Sequence, residues 1–508
     1  MAEPIYDVAI VGYGPVGAVL AALLGQAGLT VHVCDRLPGV YEIPRAISLD
    51  HEIMRVFQQI GVLAQIEPYF EPFTNSEYYG VDGQLIRRMT MIEPPYPQGH
   101  IPSMVFTQPP VEQALRQRVA ECPTVTVALQ TEMQAMTQQA DGVQLQLQHA
   151  DGRQQHIQAR WAVACDGGAS RLRALAGIAL EDLDFDEPWL VVDVLLNEQG
   201  LRKLPAVSVQ YCEPERPCTM VIGPKNHRRW EISLKPGEDP AEAATEAGTW
   251  RLLSRWITPE DGQLWRQASY RFHALVADVW RQGRVLVAGD AAHMQPPFLG
   301  QGMCQGVRDA ANLAWKLIAV VQGQVQGVAA DRLLDSYGQE RKAHVRALTQ
   351  RIKEIGAVIC ERDETRARER DARLLRECGG VVKDTPRQDV LPKLASGCLS
   401  DRDHPARGTL FPQPRIAVGD SVHLMDDVQG HGWRWVGDGQ LPAPSETQGW
   451  TTLVLGDSLQ ETQGVLARWF ATHGCHAALV RPDNYVFGVA RTTEDAENLR
   501  REWQQTLQ

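Results

Sequence analysis

The stretch VAIVGYGPVGAVLAALLGQAGLTVHVCDR, close to the start of the chain, constrains the fold more than any other feature. Its apolar run Val8–Val11 is typical of a buried parallel strand. Gly12, Gly14 and Gly17 follow in the spacing G-x-G-x-x-G, which gives a tight turn, a close backbone approach to a pyrophosphate and close helix packing. The Ala- and Leu-rich segment Ala18–Ala27 predicts a helix whose first N–H groups face the phosphates.

A second predicted strand, Thr30–Cys34, ends in Asp35. An acidic residue about 20 positions beyond the glycines can accept hydrogen bonds from ribose hydroxyls. The segment therefore predicts a dinucleotide site. A glycine-rich turn that binds nothing is the alternative, and it explains Asp35 poorly.

Composition limits the class of protein. A chain of 508 residues is too long for a single hydrophobic core, so we expect two or three domains. The net charge of −12 argues against nucleic acid and anionic membranes as partners. No apolar run is long enough for a membrane span. Met1–Pro4 lacks the basic start of a signal peptide, and the ten cysteines are scattered without C-x-x-C. We expect a cytoplasmic protein with reduced thiols and no metal.

The pattern of strand-like and helical segments along the chain predicts its division into domains. A discontinuous first domain takes residues 1–184 and 276–380, with a substrate-side segment near 70–105. Strand-like sequence without strong helices predicts an inserted β-sheet domain at 185–275. Residues 381–414 are irregular and predict a linker, and strands alternate with helices at 415–508.

Two further motifs carry an aspartate at the end of a predicted parallel strand. They are ACDGGASRLR, which contains Asp166, and GDAAHMQPPFLGQGM, which contains Asp290 and precedes a helix predicted from about Gln305 to Val321. Open α/β sheets bind ligands at such strand ends. Three converging strand ends suit a large ligand with many hydroxyls, and NAD would not need the Gly289–Asp290 loop.

These three motifs, in this order and spacing, resemble the group A flavoprotein aromatic hydroxylases, the para-hydroxybenzoate hydroxylase class, over about residues 5–375. Within that class the chain is most similar to 3-(3-hydroxyphenyl)propionate hydroxylases, on Pro44–Ile47, Val163–Ser170 and Arg308–Leu317. The resemblance implies an α/β fold: a Rossmann-like FAD-binding domain, an inserted β-sheet substrate domain and a thioredoxin-like C-terminal domain. The last domain lacks C-x-x-C, so we expect it to serve structure or dimer contact.

The resemblance also implies the residues that hold FAD. The glycine turn would hold the pyrophosphate, and the acidic residue after the second strand would hold the adenosine ribose. Later residues would contact the phosphate and ribityl groups, and the last loop would contact the flavin ring. In chain order they are Gly12, Gly14, Pro15, Val16, Gly17, Asp35, Arg36, Arg45, Gln108, Asp166, Asp290, Pro297, Gly300, Gly302 and Met303. Family members often carry Asn at the position of Cys304, so this chain lacks that side-chain amide near the flavin ring.

The implied activity is hydroxylation of a phenolic ring, such as that of 3-(3-hydroxyphenyl)propionate. NADPH or NADH would reduce FAD, O2 would give a flavin C4a-hydroperoxide, and this group would transfer a hydroxyl to the ring. No second G-x-G-x-x-G follows, so the nicotinamide would bind transiently. The expected partners are a small aromatic substrate and O2, with a homodimer as the candidate assembly.

The candidates for the catalytic side are Tyr211, Arg229 and His293. Arg229 is similar in placement to a family arginine near the flavin and the substrate. For Tyr211 and His293, packing in the core is the alternative. A base or hydrogen-bond acceptor near the phenol hydroxyl should help the reaction.

Three other functions stay open at this point. A related flavin monooxygenase could act on a bulky polyketide or antibiotic. A non-catalytic FAD-binding protein would be yellow, but no aromatic compound would accelerate its NAD(P)H oxidation. A plain NAD dehydrogenase would be colourless.

Overall fold

The computed structural model of the chain describes residues 5–444 and 449–507. Met1–Pro4, on which the expectation of no signal peptide rests, lies outside the described residues. Across the described ranges, none of the helices combines the length and apolarity that crossing a bilayer requires.

The chain forms both strands and helices, with runs of consecutive strands in several places. The strands are β1 (Ile5–Val11), β2 (Val31–Cys34), β3 (Ser48–Asp50), β4 (Phe70–Pro72), β5 (Ser76–Tyr79), β6 (Leu85–Thr90), β7 (Ser103–Phe106), β8 (Val125–Ala128), β9 (Thr131–Gln138), β10 (Val143–His149), β11 (Gln154–Ala164), β12 (Leu180–Leu196), β13 (Ser208–Tyr211), β14 (Cys218–Ile222), β15 (His227–Ser233), β16 (Gly262–Ala277), β17 (Arg281–Gln282), β18 (Val285–Val287), β19 (His293–Met294), β20 (Lys383–Pro386), β21 (Arg415–Val418), β22 (Ser421–Leu424), β23 (Trp433–Gly437), β24 (Trp450–Val454), β25 (Ala477–Val480) and β26 (Val486–Ala490). The helices are α1 (Pro15–Gln26), α2 (His51–Ile60), α3 (Leu63–Ile66), α4 (Gln108–Ala120), α5 (Arg171–Leu175), α6 (Glu198–Lys203), α7 (Pro240–Ala243), α8 (Glu246–Leu253), α9 (Gly302–Val321), α10 (Gly327–Ile359), α11 (Glu364–Glu377), α12 (Met425–Gln429), α13 (Val465–His473) and α14 (Thr493–Leu507).

The first sheet is the Rossmann-like core. Its strand order is β17-β18-β11-β1-β2-β8, with β10 and β9 added beside β11, and β18, β11, β1, β2 and β8 run parallel. Helices α1, α4 and α9 pack together against it. The Val8–Val11 and Val31–Cys34 segments are fully buried, as a parallel sheet covered on both faces requires.

The second sheet has nine strands in the order β19-β16-β12-β15-β14-β13-β5-β6-β20. Its long strands β12 and β16 run from the first domain into the second, and β19 joins its edge directly after the Gly289–Asp290 loop. One face is covered by α7 and α8 over a cluster that includes Trp230 and Ile232. Part of the other face packs on α10, and the rest faces the first sheet.

The C-terminal part forms a mixed four-stranded sheet in the order β24-β23-β25-β26, with α13 and α14. Strand β24 is parallel to β23, whereas β25 and β26 are antiparallel additions. This arrangement agrees with the thioredoxin-like fold expected from the sequence.

The elements differ from the sequence expectation at three places. The predicted boundaries at 184/185 and 275/276 fall inside β12 and β16, because these strands continue without a break between the two domains. The interval 381–414, predicted as a linker, contains β20, which pairs with β6 at the edge of the second sheet. Residues 185–275, expected to lack strong helices, include the eight-residue α8.

Buried ion pairs join the C-terminal part to the first domain. Asp426 accepts from Arg55 of α2 at 2.6 and 3.0 Å and from Arg434 of β23 at 2.8 Å. All three side chains are almost fully buried. Burial alone would raise the pKa of Asp426, but the two guanidinium groups outweigh it and hold this pKa well below its usual value.

Replacing Asp426 by Asn should therefore destabilise the protein by about 3–5 kcal/mol, since two buried cations lose their counter-charge. The neighbouring Asp427, an exposed residue that accepts one hydrogen bond from Gln58, provides the matched control, and Asp427→Asn should cost about 1 kcal/mol or less. Guanidinium unfolding at neutral pH measures both. Equal effects would contradict the assignment.

The loss of stability in Asp426→Asn should depend on pH. Because the folded pKa of Asp426 lies below the ordinary 3.8, its stabilisation is present above that value and is lost as the pH falls through the folded pKa. The difference between wild type and Asp426→Asn should shrink in acid.

Candidate active site

Four parallel strands of the first sheet end in one row. In the register of the sheet, Val11 lies beside both Cys34 and Ala164, and Ala164 lies beside Val287. The loops that follow carry the three motifs found in the sequence, so all three open onto one edge of the sheet. The predicted convergence of strand ends is present in the structure.

The glycine turn is shaped by close backbone contacts. A Cβ added at Gly12, where φ is +102°, would lie 2.3 Å from the Cys165 carbonyl oxygen, and one at Gly17 would lie 2.1 Å from the Gly12 carbonyl oxygen. A Cβ at Gly14 would meet no protein atom within 4 Å. Gly14 is the N-cap of α1, and Pro15 is its first residue. The open side of Gly14 and the helix N-terminus fit a pyrophosphate.

Two adjoining cavities extend from this turn. The dinucleotide chamber, of about 570 Å³, is lined by Gly12, Asp35, Arg36, Asp166 and their neighbours. The sheet chamber, of about 420 Å³, is lined by Val16, Asp290, Pro297, Gly300, Gly302 and Met303 on one side and by the second sheet on the other. Gly14, Pro15, Arg45 and Gln108 line both. Together they form one trough long enough for an extended ligand.

A larger cavity of about 830 Å³ lies between α9 and the C-terminal part. None of the residues predicted to hold the cofactor lines it, so the trough is the candidate site.

The acid of the second strand is fixed towards the dinucleotide chamber. Asp35 accepts hydrogen bonds from the backbone N–H groups of Tyr13 and Leu37, both at 2.7 Å. A carboxylate has about four acceptor positions, so lone pairs remain for ribose hydroxyls. Asp166 is engaged differently, because it accepts from Ser170 and from the N–H of Arg171 at the start of α5. Those contacts favour a local structural role for Asp166 at the chamber wall.

Gln108 holds the loop that lies over the trough. Its Oε1 accepts from the N–H groups of Arg45 and Ala46, at 2.8 and 2.7 Å. The Arg45 guanidinium lies over the Tyr41 ring and lines both chambers. A cation at this point suits a phosphate.

The loop after β18 places a carboxylate in the trough. Asp290 is an exposed residue that lines the sheet chamber, and no described residue hydrogen-bonds its side chain. Desolvation by the surrounding protein raises the pKa of Asp290, although His293 and Arg45 oppose the shift. An unpartnered carboxylate in such a position fits a ligand rich in hydroxyls.

His293 is tied into the core. Its Nε2 lies 2.7 Å from Asp309 Oδ2, and Asp309 also accepts from Arg341 and from the N–H of Gly289. The ring stacks on Trp280 and is 1% exposed. These contacts favour the packing alternative for His293, with its ring fixing the loop to α9.

Helix α9 begins at Gly302, three residues before the predicted start, and its N-terminus faces the sheet chamber. The unpaired N–H groups and the helix dipole favour negative charge there, and the flavin contact expected for Gly302 and Met303 stays a prediction. Cys304 is buried, its thiol lies against the Ser48 carbonyl, and burial raises its pKa. Its side chain therefore adds no reactive thiol to the site.

Arg229 connects the second sheet to the loop over the trough. It donates to Asp193 at 2.7 and 3.1 Å and to the Arg45 carbonyl at 2.7 Å. Burial alone would raise the pKa of Asp193, but Arg229 and His227 outweigh it and lower the pKa to about 2. Arg229 lines the sheet chamber, with its donors directed at protein acceptors.

The prediction that Tyr211 contacts the substrate does not agree with the structure. Tyr211 pairs with Cys218, which in turn pairs with Ile232, so all three share the face covered by α7 and α8. Its ring packs on Trp256 beneath Arg255. Side chains alternate between faces along a strand, and Tyr211 has the parity that points away from the chamber.

Sequence reasoning missed the residues on the chamber face of the same sheet. Strands β12, β15 and β16 place Val191, Glu231, Arg266, Tyr270 and Phe272 there, and the loop after β19 adds Gln295. Both polar atoms of the Gln295 side chain are buried without a partner among the described residues. The one signal in the sequence was the charged Glu231 between two large apolar residues, Trp230 and Ile232.

Alanine at Gly14 and at Gly17 should separate binding from folding. Gly14→Ala should melt like wild type but bind FAD, the dinucleotide expected from the sequence, at least about tenfold more weakly, a difference of about 1.4 kcal/mol. Gly17→Ala should lower the melting temperature even without FAD, because its Cβ meets the Gly12 carbonyl. Titration calorimetry and thermal unfolding of the apoprotein measure these effects. Unchanged FAD affinity in Gly14→Ala would contradict the assignment of the turn.

Comparison with known proteins identifies the family of the chain. A family model described as "FAD binding domain" matches residues 5–352, and one described as "HcaD C-terminal domain" matches residues 408–506. Among solved structures, the flavin-dependent monooxygenase PieE in complex with FAD and substrate has a TM-score of 0.82 at 20% identity, with both chains fully covered. Aklavinone-11 hydroxylase with FAD and aklavinone has a TM-score of 0.81 at 22% identity, again with both chains fully covered. At these identities the likeness is one of fold.

Two curated relatives are similar in sequence over nearly their whole length. The "Probable NADH-specific resorcinol 4-hydroxylase" of Rhodococcus jostii is 36% identical, covering 98% of this chain and 94% of the relative. The 3-(3-hydroxy-phenyl)propionate/3-hydroxycinnamic acid hydroxylase of Escherichia coli K12 is 32% identical, covering 95% and 92%. The glycine turn, the three loops at one sheet edge and these matches lead to one conclusion: the chain belongs to the FAD-dependent aromatic hydroxylases, a family of flavoprotein monooxygenases.

Proposed function

We propose that this protein hydroxylates a small phenol with O2, using NADH as the reductant. The observation that carries the proposal is the sheet chamber, where the N-terminus of α9 and the glycine turn face a wall with both apolar and charged side chains. Val191 and Phe272 suit an aromatic ring, and polar groups beside them suit a hydroxyl. The names of the two relatives support phenolic substrates, and one of them supports NADH.

The chain would hold FAD along the trough, with Gly14 and α1 at the pyrophosphate, Asp35 at the ribose and α9 at the ring end. FAD, when bound, supplies the redox chemistry between the nicotinamide, O2 and the substrate. The α9 N-terminus stabilises negative charge at the ring end of the trough. Arg229 keeps the loop over the trough in place, and the chamber wall keeps water from the reacting centre.

The size of the sheet chamber favours a one-ring substrate over a bulky polyketide. Its volume is about 420 Å³, and the ring end of FAD must occupy part of it. The polyketide alternative rests on structural neighbours such as aklavinone-11 hydroxylase, whose identity to this chain is 22%.

We also propose that the protein works in the cytoplasm as a homodimer. All ten cysteines are unpaired, which supports a reducing compartment. Light scattering of the purified holoenzyme tests the dimer, which would be contradicted by the mass of a single chain.

The activity is tested by NADH and NADPH oxidation, together with oxygen uptake, in the presence of resorcinol, 3-(3-hydroxyphenyl)propionate or aklavinone. We expect a small phenol to accelerate NADH oxidation at least about tenfold, equivalent to about 1.4 kcal/mol in the barrier. Chromatography should show a ring with one added hydroxyl for each NADH consumed.

The other outcomes identify the alternatives. Acceleration by aklavinone alone would favour the polyketide reading, and a preference for NADPH would overturn the choice of reductant. A yellow protein that no aromatic compound accelerates would be a non-catalytic FAD-binding protein. Catalase added to the assay separates hydroxylation from release of hydrogen peroxide.

A further inference from the structure

We propose that Glu231 accepts the hydrogen bond, and then the proton, of the substrate's phenolic hydroxyl in the sheet chamber. The inference rests on the proposed function, because it names the group that activates the phenol in that reaction. The position of Glu231, the lack of a partner for its carboxylate among the described residues, and the hydrogen bonds of its neighbours support this role.

Strand register places Glu231 in the wall of the chamber. It lies opposite Val191 of β12, and Arg229 lies two residues away on the same strand, opposite Asp193. Alternation puts these four side chains on one face. Glu231 lines the chamber, although only 6% of the residue is exposed.

The Glu231 carboxylate has no hydrogen bond or ion pair with any other described residue. A buried carboxylate in this state is costly, so native proteins rarely keep one without a partner. The group is also absent from the polar atoms that are sealed from solvent without a partner, so its oxygens reach the cavity. A hydroxyl in the chamber would satisfy it.

Neither of the two nearby cations, Arg229 and Arg266, hydrogen-bonds or ion-pairs with Glu231, because both are held by other acceptors. Arg229 binds Asp193 and the Arg45 carbonyl. Arg266 donates to the Pro44 carbonyl at 2.7 Å and to the Tyr270 hydroxyl at 2.5 Å. Their charges still act on Glu231 from a distance.

The balance of these effects brings the pKa of Glu231 close to neutral pH. Burial raises its pKa to about 7, with Asp193 adding to the shift and Arg229 and Arg266 opposing it. A base whose pKa lies near the working pH serves proton transfer well. The charged and titratable groups around it are Arg229 on its own strand, Asp193 on β12, Arg266, Tyr270, Arg271 and His273 on β16, and Arg45, Asp290 and His293 across the chamber.

The proton balance closes within the reaction. The phenolic proton moves to a Glu231 oxygen, which leaves a phenolate with a more electron-rich ring. One oxygen atom of O2 forms the new C–O bond as the O–O bond breaks, the other oxygen leaves as water, and NADH supplies the two electrons by way of the FAD that the trough would hold. The ring proton that the new bond displaces goes to solvent, and Glu231 returns its proton to the phenolic oxygen. Glu231 therefore ends in the ionised form in which it began.

Glu231→Gln tests the proposal in the FAD-loaded enzyme, with Glu215→Gln as the matched control because the Glu215 side chain is 85% exposed and pairs with Lys235. With resorcinol, Glu231→Gln should lower kcat about a hundredfold, whereas Glu215→Gln should leave it unchanged. The wild-type rate should rise with pH through about 7, and the variant should lack this rise. An unchanged kcat and pH profile would overturn the proposal.

A binding measurement gives a readout that needs no turnover. The flavin absorbance of the oxidised holoenzyme reports the binding of resorcinol and of 1,3-dimethoxybenzene, which has no hydroxyl to donate. Wild type should prefer resorcinol, and Glu231→Gln should reduce this preference about tenfold, equivalent to about 1.4 kcal/mol. An equal preference in both proteins would contradict the contact.

Stability separates this role from a structural one. The raised pKa means that ionised Glu231 destabilises the fold, with no penalty below the ordinary 4.5 and the full penalty above about 7. Glu231→Gln should therefore melt higher than wild type at pH 8 and equally at pH 4. A lower melting temperature at both pH values would assign Glu231 to structure and overturn the proposal.

Glu231→Asp keeps the carboxylate but withdraws it from the chamber by the length of one methylene group. It should retain the rise of the rate with pH while lowering kcat, and loss of that rise would contradict a carboxylate base. If no phenol accelerates NADH oxidation by the wild type, the proposed function fails, whereas the comparison of resorcinol with its dimethyl ether still decides whether Glu231 contacts the hydroxyl.

Discussion

The site depends on the register of one parallel sheet. Val11, Cys34, Ala164 and Val287 end in a single row, so the loops that follow them open at the same height. Main-chain hydrogen bonds fix this register, and a slip of one residue would turn every side chain to the other face. The glycine turn, the ribose acid and the Asp290 loop therefore share one trough because of backbone pairing, before any side chain acts.

Buried charges then hold the loops on that row. Asp309 joins His293, Arg341 and the N–H of Gly289, so the loop after β18 is fixed to α9 and α10. Arg308 of α9 donates hydrogen bonds to Asp50 at the end of β3 and to Glu52 of α2, at 2.6 Å each. Such networks are tolerated only when every member is satisfied. Their completeness contrasts with Asp290 and Glu231, whose free carboxylates face the trough.

The sequence predicts what short segments determine and misses what distant pairing determines. The glycine turn and Asp35 depend on about thirty contiguous residues, and their placement is encoded in a local pattern. The face on which Tyr211 lies depends on the pairing of β13 with β14 and of β14 with β15, which no local pattern specifies. The pairing of β20 with β6 joins residues almost three hundred positions apart. The chamber wall, and with it Glu231, lies in the part that only the assembled sheet defines.

Two carboxylates on one sheet face show how the fold sets protonation. Asp193 and Glu231 lie on adjacent strands, both buried, yet burial and neighbours lower one pKa to about 2 and raise the other to about 7. Asp193 accepts a hydrogen bond from Arg229 and lies within hydrogen-bond distance of His227. Glu231 accepts no hydrogen bond from the described residues. A pair of acids separated in this way indicates different roles. Asp193 fixes the arginine that anchors the loop over the trough, and Glu231 is left to a partner that must come from outside the chain.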